Sequence, residues 1–343
     1  MEIEEIIKKI SDSSHYLLKS KDEQSEYYAN FTKVILPLKE KLTEKQFEDL
    51  LINKLQMKNA SFDEKAFIQI ACETTVNAYF ARKYPTSFAY EKKLKLTNKK
   101  NVECQVRSYY FTYNIEVKCA DFEAKEKIEN QDSFKFSTYG RIDDYKEAMK
   151  EIGEMMIEGQ KRKGDVPKPL LEQRKMDNNL KDFLISANEK FDSIPNENEV
   201  NILVVCCGDA NDIQHWHNYM YAPTGLFTRN SFYNPKEYTR VDIVVLTNIY
   251  HRHYKYFEKL HLEDNWNFDS AFNLAFSNPF RSMNKEDSIK HFLKVFPHYT
   301  YELEKFKLPP SNEPEFIRQV LKSIVGIPAF VKYNLTDKGK ILF

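Results

Sequence analysis

Two short apolar runs constrain this 343-residue chain more than anything else in it: residues 200–208, VNILVVCCG, and residues 240–248, RVDIVVLTN. Neither alternates, so neither suits a sheet with one wet face. Strands of this kind are covered on both sides, and helices are what covers them. Both runs fall well short of the ~20 apolar residues that cross a bilayer, and no other run in the chain reaches that length. Ahead of them lie segments that alternate in the manner of antiparallel strands. Hairpins followed by helix-linked buried strands predict an α/β fold with a mixed central sheet flanked by helices.

The rest of the chain supplies the helices. Residues 1–60 repeat apolar side chains at helical spacing: Ile3, Ile6, Ile7 and Ile10; Phe31, Val34, Ile35 and Leu38; Phe47, Leu50, Leu51 and Leu55. Two or three helices are expected there, as a packing layer or as a recognition or dimerisation module. Ser61-Phe62-Asp63-Glu64 reads as a capped start for a helix running to Lys83. A strand over 88–96 follows, then helices over 143–163, with Ala148, Ile152, Met155 and Met156 buried, and over 169–191, with Leu180, Phe183, Leu184 and Ala187 recurring. Residues 254–343 read as mostly helical. The expected organisation is an N-terminal helical segment, 1–60, a core, 61–253, and a helical C-terminal extension, 254–343.

Residues 101–121, NVECQVRSYYFTYNIEVKCAD, carry the chemistry. Val102, Cys104 and Val106 alternate with Glu103, Gln105 and Arg107, and Ile115, Val117 and Cys119 form the apolar side of a second strand. Glu116 and Lys118 then project together from the other side, and pairing of the strands brings Glu103 beside them. Two carboxylates and an ammonium on one sheet surface describe a divalent-metal site with a lysine next to it. As a plain hairpin, the same residues would form its solvated face.

Glu103 followed by Glu116-Val117-Lys118 resembles the signature of the PD-(D/E)xK nuclease superfamily, with Glu as the first acidic residue and no Pro-Asp dipeptide. The likeness covers roughly residues 63–248. The E-x-K triplet also occurs at Glu91-Lys92-Lys93 and Glu123-Ala124-Lys125, so the strand setting distinguishes the one at 116–118. The resemblance implies a restriction-endonuclease-like fold and Mg²⁺-dependent cleavage of DNA, of a restriction or phage-defence type. It implies Glu103, Glu116 and the carbonyl of Val117 as metal ligands, with Glu73 from the preceding helix as a further one, and Mn²⁺ as a substitute ion. Lys118 would orient the attacking water or stabilise charge on the phosphate, and Gln105 would touch phosphate or water. RNA as substrate and a homodimer are left open. A catalytically inactive relative that binds nucleic acid or protein is the alternative.

Composition narrows the rest. Lys+Arg and Asp+Glu number 51 each, which excludes coating of nucleic acid by bulk charge while permitting one basic cleft. With only 8 glycines, neither dinucleotide nor P-loop signature occurs. Five cysteines without a C-x-x-C pair suit a reducing compartment, and the N-terminal stretch lacks a signal peptide's basic head, so a cytoplasmic location is expected. Residues 209–239 interleave aromatics with basic and amide groups; Trp216 and Tyr219, with Arg229 and Lys236, offer stacking faces and cations for nucleic acid, or else cover the end of the sheet. The pairs His215/His217 and His251/His253 would each share a face in an extended segment. They read as surface or phosphate-facing groups rather than a zinc site.

Overall fold

The computed structural model describes residues 3–23, 25–95, 100–136, 144–173, 175–191, 194, 196–258, 264–310, 312–340 and 342–343. Four short helices open the chain: α1 (Ile3–Ile7), α2 (Tyr16–Asp22), α3 (Glu26–Lys39) and α4 (Glu44–Asp49). All twelve apolar positions expected to face inward in residues 1–60 are buried. They join the same continuous core as the sheet, because Tyr27 and Phe31 close on Trp266. The first sixty residues are thus a packing layer of the core. Helix α5 (Glu64–Lys83) follows, capped at Asp63, whose carboxylate accepts from Ala66 N at 3.0 Å.

The central sheet has six strands: β1 (Ala89–Tyr90), β2 (Cys104–Ser108), β3 (Phe111–Cys119), then, past an annex, β6 (Glu199–Cys206), β7 (Ile243–Thr247) and β8 (Asn273–Ser277). They lie in the order β1-β2-β3-β6-β7-β8, with β3, β6 and β7 mutually parallel and the outer pairings antiparallel. Both apolar runs are buried over their strand lengths. Their polar exceptions meet: Asn201 N donates to Asp242 Oδ2 at 2.8 Å, and Lys285 Nζ lies 2.8 Å from the same oxygen.

The annex between β3 and β6 holds α6 (Glu123–Glu129), β4 (Phe134–Phe136), α7 (Tyr145–Lys163), β5 (Leu170–Glu172) and α8 (Asp177–Lys190), with β4 and β5 forming a parallel pair. Beyond β6 come α9 (Ala210–Tyr221), α10 (Ile249–His253), α11 (Glu286–Val295), α12 (Thr300–Lys305) and α13 (Glu315–Phe330). Helix α5 covers one face of the sheet, where Cys119 Sγ approaches Gln69 O, and α8 the other, where Lys190 reaches Glu116.

Several expectations are corrected. The strand expected over 88–96 stops at Tyr90, since Glu91 turns to φ 46° and leaves the extended region; Leu96 lies outside the described residues. The helix expected from Asp143, itself outside them, begins at Tyr145 and buries no residue, with Met155 64% exposed. It rests on the two-stranded annex, beside Leu170, rather than on the main sheet. The helix expected from 169 begins only at Asp177, because residues 170–172 pair with β4; its Leu180, Leu184 and Ala187 are buried as read. The stretch 254–343 is helical at α11 and α13, but it also gives the sheet its last strand, β8, so the sheet does not close at residue 253.

Candidate functional site

Strands β2 and β3 pair with Cys104 opposite Ile115 and Ser108 opposite Phe111, around a turn at Tyr109-Tyr110 with Tyr109 at φ 55°. Glu103 immediately precedes that ladder on the β2 side and Glu116 immediately follows it on the β3 side. Pairing with β2 ends at Ile115, while β3 continues beside β6 to Cys119, so residues 116–119, Val117 among them, have a ladder partner on one side only. The alternation read from the sequence holds: Val102, Cys104 and Val106 are buried and Arg107 is exposed.

Glu116 departs from a solvated hairpin face. It is 0% exposed, because β3 is an interior strand and α8 lies over it. Its carboxylate sits between two ammonium groups: Oε1 is 2.9 Å from Lys118 Nζ and 2.7 Å from Lys190 Nζ, and Oε2 accepts a hydrogen bond from Lys190 at 2.8 Å. Neither lysine aligns a hydrogen bond on Oε1, which is buried without a partner of that kind. A buried carboxylate needs such company, since removing an ionised group from water costs several kcal/mol unless it is paired.

Two further acids share the field. Burial, and then the Glu103 carboxylate, push Glu73 on α5 up to about 9. Burial and Glu116 push Glu103 up to about 7, against the pull of Lys190, Lys54 and Lys118. Burial pulls the Lys118 ammonium down, yet Glu116, Glu103 and Glu73 outweigh it, and its pKa is raised. Glu73, Glu103, Glu116 and Lys118 therefore interact electrostatically as one group. Three crowded carboxylates, with Glu73 and Glu103 raised in proton affinity, offer the oxygen ligands that a hard divalent cation takes.

Lys190 was not anticipated, although a signal existed. It falls three residues after Ala187, continuing the apolar stripe Leu180-Leu184-Ala187, and a lysine there must reach into the layer between helix and sheet. Gln105 lies on the expected face but donates to Asn114 Oδ1 at 2.8 Å, and Asn114 in turn donates to Asn201 at 2.8 Å. That amide chain runs along the sheet. The competing triplets are engaged elsewhere, with Glu91 paired to Lys54 and Lys125 to Asp212.

The aromatic connection is different. Residues 210–221 form α9, and Trp216 is 1% exposed with its ring stacked on Phe183 at 6.1 Å. Tyr219 is half-buried, and its hydroxyl accepts from Met176 N at 2.9 Å. Trp216, enclosed in this way, offers no face to a base, which corrects the stacking role expected of it; Tyr219 packs edge-on against it. Arg229 and Lys236 are exposed. The histidine pairs dissolve likewise, because both segments are helical and residues two apart diverge. His253 is no surface group: it is fully buried between Tyr27 Oη at 3.0 Å and Thr75 Oγ1 at 3.1 Å. His215 and His251 line a cavity of about 480 Å³ with Lys125, Asp209 and Asp212, beyond the C-terminal end of β6. None of Glu73, Glu103, Glu116 or Lys118 lines it.

No protein-family model, no curated protein and no solved structure matches this chain. Among the described residues no helix is long and apolar enough to cross a membrane.

Proposed function

We propose that the chain is a metal-dependent endonuclease that hydrolyses phosphodiester bonds of DNA, a restriction or phage-defence type enzyme of restriction-endonuclease-like fold. The observation that carries the reading is the convergence of Glu103 on Glu116 at the end of the β2–β3 ladder, with Lys118 beside Glu116 and Glu73 in the same field. The element order α5, β1-β2-β3 antiparallel, α8, β6 parallel to β3 supports it. Glu103, Glu116, Glu73 and the Val117 carbonyl would hold Mg²⁺, or Mn²⁺ in its place. What the ion supplies when bound is Lewis acidity toward a phosphate oxygen and a more acidic water.

The chain's own groups do the remainder. Lys190 clamps Glu116 from below and fixes the carboxylate's direction. Lys118, a compact cation with 26% of its side chain exposed, faces outward enough to meet a phosphate and to stabilise charge as it grows there. Because that interaction strengthens only as the bond breaks, its loss lowers turnover rather than metal affinity.

The alternative, a nuclease-fold protein that binds without cutting, draws on one observation: Glu116 is fully enclosed and contacted by two ammonium groups. Incubation of the whole chain with plasmid DNA and Mg²⁺ or Mn²⁺, with and without EDTA, decides between them. Cleavage that EDTA stops, that Glu116→Gln abolishes and that Lys118→Ala lowers by two to three orders of magnitude is the expected result. DNA retained but intact under every ion makes the chain a binding module.

A further inference from the structure

Cys72 on α5, Cys119 on β3 and Cys206 on β6 are all free thiols, and their Sγ atoms lie within 4.8 Å of one another. The fold brings them together by two independent routes. Parallel pairing sets Cys119 directly beside Cys206, and α5, lying across that face, lowers Cys72 onto the pair. Cys72 and Cys206 are fully buried, whereas Cys119 is half-buried, so the cluster has one accessible corner. Cys207 takes no part: its Sγ turns to Val205 O at 3.5 Å. A cysteine in a core needs only apolar neighbours, so three thiols converging from three elements call for another account.

We propose that Cys72, Cys119 and Cys206 form a binding site for a thiophilic d¹⁰ metal ion, Zn²⁺ in the first instance. Soft thiolates select such ions over Mg²⁺. Zinc–sulfur bonds of ~2.3 Å require sulfurs about 3.8 Å apart in a tetrahedron, so closing the cluster needs a contraction of an ångström or less. Three Zn–S bonds form, and the thiol protons leave to solvent. Glu73, next in the chain to Cys72 and acting electrostatically on Cys119 and Cys206, is a carboxylate at hand for the fourth position, with water as the other choice. Bound there, the ion joins α5 to the two strands beneath it. This site does not rest on the nuclease reading: its three thiolates include none of Glu103, Glu116 or Lys118, and only Glu73 could serve both, water being the other choice here.

The test uses the full chain, reduced and stripped by a chelator, titrated with Cd²⁺ while the thiolate-to-cadmium charge-transfer absorbance is followed. One equivalent should saturate the band at an intensity of three thiolates, and Zn²⁺, but not Mg²⁺, should displace it. Cys119→Ala and Cys206→Ala should each remove about a third of the band and weaken binding at least tenfold, more than a lost outer-shell contact does. Cys104→Ala and Glu116→Gln should leave the band intact, the latter separating this site from the nuclease reading. Should a core variant fail to fold, the unaltered protein still reports: Zn²⁺ should shield Cys119 from iodoacetamide, read by mass spectrometry. No band, a band indifferent to the cysteine substitutions, saturation only by many equivalents, or unchanged alkylation overturns the proposal.

Discussion

The carboxylate cluster around Glu116 and the aromatic connection over 209–239 both invite a functional reading, yet the fold treats them oppositely. In the first, ionisable groups from α5, the residue before β2, β3 and the end of α8 converge in a partly enclosed space, and Glu73 and Glu103 are each pushed up in pKa by burial and then by a neighbouring carboxylate. In the second, the residue expected to stack on bases is sealed against Phe183 and fills the layer beside α8. The lesson lies in desolvation. Enclosing an aromatic ring stabilises the fold by ~1.5–3 kcal/mol without further conditions, so an aromatic cluster in sequence is first of all core. Enclosing several carboxylates costs energy, so a group of them needs compensating cations, here Lys118 and Lys190.

The largest effect that sharpens this contrast is Trp216→Ala, expected to cost about 3–5 kcal/mol by leaving a cavity and to lower the melting temperature by roughly 10 °C. Thermal unfolding followed by circular dichroism checks it. An unchanged melting curve combined with weaker DNA binding would put the ring back at the surface and erase the contrast.

Lys190→Met comes next. It removes one of the two ammonium groups on a fully buried carboxylate and should cost about 2–3 kcal/mol, less than a wholly broken buried pair because Lys118 stays. Adding Glu116→Gln to it should recover part of that loss in a double-mutant cycle of denaturant melts. Strict additivity would mean that the two residues do not sense each other.

Arg229→Ala with Lys236→Ala probes the exposed rim of the aromatic connection. Stability should change by under ~0.5 kcal/mol. If DNA runs along this rim, cleavage-dead protein should lose affinity and show a shallower dependence on salt in gel-shift titrations. Identical salt slopes would leave the segment a purely structural cover.

The smallest effect is one of pH. Burial lowers the pKa of His217 on α9 and of His15. Each stays neutral in the folded chain at a pH where the unfolded chain, near the usual 6.5, takes up a proton. The unfolded state then binds more protons, so stability is full above about 6.5 and falls as the solution is acidified below it. Chemical denaturation midpoints from pH 7.5 down to 5 should show that fall, and His217→Asn should make it less steep. An unaltered slope would mean that His217 does not contribute.

What the sequence determined by itself was local. Periodicity placed the buried faces of the N-terminal helices, and the capped start at Ser61-Phe62-Asp63-Glu64 marked where α5 begins. Non-alternating apolar runs marked β6 and β7 as covered on both faces, and alternation told Glu103, Glu116 and Lys118 from Cys104, Val106 and Val117. Tertiary structure decided how elements far apart in sequence meet, since spacing fixes a residue's face but not what lies over that face. Only the packing of α8 brought Lys190 to Glu116 and closed Trp216 under Phe183. Only the late pairing of β8 with β7 completed the sheet, and only the crossing of α5 over β3 and β6 set three cysteines, each unremarked in its own segment, against one another.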